Sequence, residues 1–231
     1  MGSPTDKSPE WIKNVIERNP CKVIADGNIL TCPVRMGFVH LDKPQKAMEE
    51  GKDDKYSVTL LFQEGSNVSV LADALRKCGA EKWGDQFANH SKSSSFHNPI
   101  KDQGDKFQYE GFVSGNRFVV ATGTRKPEVR RPNGSPHTDH TFSGQWAMAV
   151  IRPFAWETRN SQGVVLKRGL SFGLQGVLIL ADDIEFGGGG VDLNKAFAGV
   201  QIDTDVNVSD DIAGQLASGS DKEAEDIFAG I

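Results

Sequence analysis

From Lys55 to Phe62 an apolar side chain stands at every second position (Tyr56, Val58, Leu60, Phe62), the period of a strand with one buried face. The same alternation recurs downstream. Asn28–Leu41 is rich in β-formers, with Pro33 marking a bend or an edge. Tyr109–Thr122 reads as a strand broken at Gly115-Asn116, and Thr141–Trp156 as a strand or a bent pair with Phe142, Trp146, Met148 and Val150 on one face. In Leu166–Leu180, Leu170, Phe172, Leu174, Leu178 and Leu180 fall on one face. Trp146, Phe118 and Phe172 are assigned to the core.

Two segments carry helical spacing instead. Residues 8–19 place Trp11, Ile12, Val15 and Ile16 on one side, with Ser8 as cap, Pro9 in the first turn and Asn19-Pro20 as the stop. A second helix starts at a Ser66 cap, turns Leu71, Ala74, Leu75 and Cys78 inward, and closes at Gly79. The stretches Pro44–Asp54, Lys82–Lys106 and Gly123–Asp139 lack periodicity and read as loops. The expected fold class is mainly β. It is an OB-fold, a Greek-key β-barrel of five strands with a helix between strands, preceded by an N-terminal helix and followed by a disordered acidic C-terminal tail. A β-sandwich gives similar strand signals.

Charge sharpens this division. The net charge of -5 argues at first sight against a polyanionic partner. However, nine of the 31 acidic residues and two of the 26 basic ones lie in 192–231, so the preceding body is weakly basic. Four consecutive glycines, Gly187 to Gly190, form a natural hinge. The expected organisation is an N-terminal helical extension (1–20), an OB-fold domain (21–186), and a hinge with acidic tail (187–231). At 38% hydrophobic residues the body has material for a core. No apolar run reaches the roughly 20 residues of a membrane span. The N-terminus lacks the pattern of a secretory signal, and the odd count of cysteines (Cys21, Cys32, Cys78) suits a reduced compartment.

Enzyme signatures are missing from the sequence. It contains no phosphate-cradling G-x-x-x-x-G-K-[ST] and no H-E-x-x-H. His137 and His140 have metal-ligand spacing but no second ligand pair. Asp182, Asp183 and Glu185 resemble a nuclease cluster, yet their place at a strand end before a hinge favours surface carboxylates. Neither catalytic residues, nor a metal site, nor a cofactor is expected.

Binding chemistry is better supplied. Arg117, Arg125, Lys126, Arg130 and Arg131 crowd one strand end and the following loop against a single acid, Glu128. Such an element can track a phosphate backbone, and the planar guanidinium meets phosphate oxygens in pairs. Lys55, Lys101 and Arg152 add charge nearby, and Lys106 and Lys167-Arg168 widen the groove. Phe107, Tyr109 and Trp156 are the candidate stacking rings, because every base presents a π-face. In the tail, Asp221, Glu223, Glu225 and Asp226 precede Ile227 and Phe228, an acidic stretch with an apolar tip. Such a tail can dock on a partner, or lie in the protein's own groove as a charge mimic.

The chain resembles bacteriophage single-stranded DNA-binding proteins of the OB type. The likeness lies in Lys55-Tyr56-Ser57-Val58-Thr59-Leu60-Leu61-Phe62, in Asn98-Pro99-Ile100-Lys101-Asp102, in Thr141-Phe142-Ser143-Gly144 running into Val150-Ile151-Arg152-Pro153-Phe154-Ala155-Trp156, and in Gly169–Val177. It covers roughly residues 29–186. It implies largely sequence-independent binding of single-stranded DNA in phage replication or recombination, in the cytoplasm of the infected bacterial host. It further implies replication or recombination proteins as partners of the tail; self-association is a further expectation, and a membrane is not. The tail departs from the family pattern in its Gly-Ile ending and in Lys222 among the acids. Two rival readings are a phage assembly protein built on a β-barrel and a metal-dependent nuclease.

Overall fold

The structure, a computed structural model, describes residues 9–47 and 51–187. In chain order the elements are α1 (Glu10–Arg18), β1 (Lys22–Val23), β2 (Ile29–Leu30), β3 (Val34–Gln45), β4 (Lys55–Phe62), α2 (Ser69–Trp83), α3 (Phe87–His90), β5 (Phe96–His97), β6 (Lys101–Asp102), β7 (Arg117–Gly123), β8 (Glu128–Arg130), β9 (Trp146–Arg159) and β10 (Val165–Ala181).

Five of these strands close on themselves. β3 pairs with β4, β4 with β7, β7 with β10, β10 with β9, and β9 returns to β3. The β7–β10 pairing is parallel and the other four are antiparallel. This is the OB barrel, and closure removes the exposed edges that a sheet would otherwise offer to other chains. Val34, Met36, Val58, Leu60, Phe62, Val119, Ala121, Ala149, Ile151, Leu170 and Phe172 fill its interior. α2 lies between the second and third barrel strands and turns Leu71 and Leu75 into the same core. Among the described residues no helix is long and apolar enough to cross a membrane.

The structure moves several sequence boundaries, each for a physical reason. α1 begins at Glu10 with Pro9 as its cap residue; Ser8 lies outside the described residues. α2 runs past Gly79, because glycine there admits the Phe87 ring, which would stand 2.4 Å from an added Cβ. The helix ends instead at Gly84, whose positive φ of 55° suits glycine. Its start is held by the Asn67 side chain, which accepts from the Ser69 amide at 2.9 Å, and not by Ser66.

Tyr109 is not on a strand, since β7 opens only at Arg117 and residues 103–116 form a series of turns. Gln103 is fully buried and ties those turns down. Its amide nitrogen donates to the carbonyls of Phe62 and Arg117 at 2.8 Å, and its oxygen accepts from the Val113 amide at 2.8 Å.

A bulge between Leu174 and Gly176 reverses the faces of β10, so Val177 and Ile179 point into the barrel in place of Leu178 and Leu180. Trp146 is fully buried, but outside the barrel. It forms a satellite core with Ile12 and Ile16 of α1, and its ring meets Trp11 edge-on at 6.1 Å. Burying each of those two isoleucines contributes about 1.5–3 kcal/mol to the docking of α1.

Candidate nucleic-acid interface

The outer surface of the barrel carries an apolar layer of its own. Outward residues of β4 and β7 pair as Leu61 with Phe118, Thr59 with Val120, and Ser57 with Thr122. Leu61 and Phe118 are buried under Phe112, with Phe186 packed alongside. Phe186 lies on Gly111, where it would stand 2.0 Å from an added Cβ. Over this layer the turns after β6 present Phe107, 76% exposed, and Tyr109, 45% exposed.

A third ring comes from β3. Its register with β4 jumps between Gly37 and His40, and Phe38 takes a positive φ of 45°. For a non-glycine residue that conformation costs roughly 1–2 kcal/mol. The bulge lets Phe38 face outward, 39% exposed, with its ring edge-on to Tyr109 at 5.0 Å. The Lys106 ammonium sits among these rings, 4.8 Å from the Phe38 centroid, 5.7 Å from Phe118 and 5.9 Å from Tyr109.

The surface continues across β10 to β9. Register pairs Arg152 with Gly173, Phe154 with Ser171, and Trp156 with Gly169, all on the outward side. Gly173 also pairs with Thr122 of β7, so the two halves meet there. Phe154 is 40% exposed. Trp156 is half-buried, donates its indole N–H to the Ser171 hydroxyl at 3.0 Å, and lies 5.9 Å from the His97 ring. Burial, and then the Lys101 charge, push His97 below its ordinary pKa. An added Cβ at Gly173 would meet the Gln175 side chain at 3.5 Å and the Phe154 ring at 3.9 Å.

The candidate cations divide by place. Lys101 pairs in register with Phe118, beside the apolar layer. Lys55 opens β4 at the end where β7 runs into the loop bearing exposed Arg125 and Lys126. Among the described residues, Lys101, Arg125 and Lys126 have no carboxylate partner. Three of the candidate arginines do. Arg117 pairs with Asp102 at 3.1 Å, Arg130 with Glu128 at 2.6 Å, and Arg131 with Asp139. The Gly104 and Gly115 amides, with Arg117, hold the Asp102 carboxyl below the usual carboxylate range. Arg152 lines a groove against α2, in company with Asp73, Lys77 and Glu81. Lys167 and Arg168 lie at the start of β10, near α3. The barrel face therefore gathers Phe107, Tyr109, Trp156, Lys101 and Lys106. Lys55, Arg125 and Lys126 lie at one end of it, and Arg152 borders the helix side.

Asp182 and Asp183 are occupied as structural acceptors. Gln145 donates to Asp182 at 2.7 Å, and the Trp146 indole donates to Asp183 at 2.8 Å. Arg35, buried inside the fold, lies 3.4 Å from Asp183 and stacks over Phe186 at 4.4 Å. His140 contacts Asp42 at 2.8 Å. Among the described residues no three ligand-type side chains gather as a metal would require. Asp221, Glu223, Glu225, Asp226, Ile227 and Phe228 lie outside the described residues.

A family model described as "Enterobacter phage Enc34, ssDNA-binding protein" matches residues 27–211. The chain belongs to this family. The match to the Enc34 family takes in the whole barrel and leaves α1 outside it. The single-stranded DNA-binding protein of bacteriophage Enc34, in a C-terminally truncated form, superposes with a TM-score of 0.57 at 24% identity, covering 73% of this chain and 93% of that one. The same protein in complex with single-stranded DNA gives a TM-score of 0.56 at 24% identity, over 73% and 94%. These likenesses establish the shared fold. "Putative protein p50" of Acyrthosiphon pisum secondary endosymbiont phage 1 is 26% identical over 167 residues, 68% of this chain and 85% of that protein.

Sequence reasoning passed over Phe38. The signal available was Gly37 inside a strand pattern, which marks a bulge, with an aromatic ring next to it. His97 gave no sequence signal, since only the pairing of β5 with β10 brings it to Trp156.

Proposed function

We propose that this protein binds single-stranded DNA with little sequence preference, through the outer barrel face running from Phe38 and Tyr109 across Val120 and Gly173 to Phe154 and Trp156. The observation that carries this reading is the gathering of exposed rings with Lys106 and Lys101 on one continuous sheet surface. Apolar rings at the surface are costly unless a partner covers them, and stacked bases are such a partner. Lysines between the rings supply the phosphate contacts. Support also comes from the family, described as single-stranded DNA-binding, and from the Enc34 relative that is solved with single-stranded DNA.

Within this reading the protein acts on single strands in phage replication or recombination, in the cytoplasm of the infected bacterium. Residues 221–228 recruit proteins of the same process or compete for the DNA face. A labelled oligo-dT titrated with the protein, against a duplex of equal length, tests the binding. Preference for the single strand supports it; equal or absent binding overturns it.

A further inference from the structure

A second basic surface lies beyond Trp156, away from the rings around Phe38. A hollow of about 310 Å³ opens between the turns after α3 and the start of β10. Lys167 and Arg168 bring positive charge to it, and Asn89, Ser93 and Ser95 bring neutral hydrogen-bonding groups; among the described residues no acid lines it. It adjoins a hollow of about 520 Å³ bordered by Lys82, Arg159 and Arg168, and His90 lines both. The one acid there among the described residues, Glu157, is already engaged by Arg159 at 2.7 Å and by the Trp83 indole at 2.8 Å. Cationic side chains beside hydroxyl and amide donors, with the acid neutralised, form a receptor for phosphodiester oxygens.

Continuity with the barrel face identifies the occupant. Lys167 shares the outward row of β10 with Gly169, Ser171 and Gly173, and it pairs with Thr158 as Gly169 pairs with Trp156. Four residues of strand, about 13 Å, separate Ser171 from Lys167. We propose that the two hollows are a second backbone subsite, which takes up the sugar–phosphate chain of a single strand after it passes Trp156. The subsite rests on the proposed binding function and extends its footprint. A short strand is held by the rings alone, and a longer one engages both surfaces.

The test uses the full chain and a variant joining Lys82→Glu with Ser95→Asp, both at exposed positions. Anisotropy is read with labelled oligo-dT of about 5 and about 16 nucleotides, which span the site sizes usual for one OB fold. The variant is expected to bind the short strand as the wild type does and to lose affinity for the longer one severalfold. Its salt slope on the longer strand falls by about 0.7 for each phosphate that the variant no longer holds. Wild-type affinity for both lengths, or an equal loss on both, overturns the subsite. A wild-type protein that binds neither length refutes the binding function itself.

Discussion

The Lys106 ammonium lies 4.8 Å from the centre of the Phe38 ring, although the two residues come from a turn and a strand 68 positions apart. The contact depends on two backbone devices. One is the positive φ that turns Phe38 outward, and the other is the buried Gln103 that fixes the turns before Tyr109. Together they hold a cation between rings on a surface open to solvent, an arrangement suited to a polyanion that also carries stackable bases.

Replacing Phe38 or Tyr109 with Ala is expected to weaken binding of oligo-dT by about 1–3 kcal/mol each at every salt concentration. Lys106→Ala is expected to act differently, lowering the salt slope by about 0.7. Anisotropy titrations across a salt series separate the two. Ring variants that change only the slope contradict stacking.

The strand pattern of the barrel was legible in the sequence because inward and outward residues alternate there with period two; Lys55–Phe62 is the plainest case. Legibility failed where the outer surface was also apolar. Leu61, Phe118 and Trp146 are buried outside the barrel, under the Phe112 turn or under α1, and period-two reasoning has no place for a second layer. The candidate site followed the same division. Tyr109 stood out because Gln108 and Glu110 flank it, and Trp156 because Glu157 and then Arg159 follow it. Phe38 did not, because its exposure depends on a bulge, and the ion pairs of Arg117, Arg130 and Arg131 depend on tertiary or turn geometry.

Arg35→Met tests the inner frame of the face. Arg35 donates to the carbonyls of Gly144 and Ile184 at 3.0 Å and neighbours Asp183. Removing the guanidinium strands these acceptors, at an expected cost of about 3–5 kcal/mol. Urea unfolding followed by circular dichroism measures it. A loss below about 1 kcal/mol would mean that water replaces the arginine.

His97 links pH to stability. Its folded pKa is depressed below 6.5, first by burial and then by Lys101, so the unfolded chain takes up the proton first. The full stability is present above pH 6.5, and part of it is lost as pH falls from there through the lower folded pKa. Wild type is expected to lose more stability than His97→Asn between neutral pH and about pH 5. Parallel urea midpoints across that range would contradict the depressed histidine.

The central claim is that single-stranded DNA lies on the outer barrel face, and photocrosslinking tests it most directly. A photoreactive oligo-dT bound to the full chain is irradiated, and the attached peptides are mapped by mass spectrometry. Crosslinks are expected at Phe38, Tyr109, Phe154 and Trp156. Attachment confined to α1 or to the groove against α2, with the barrel face unmarked, would contradict it.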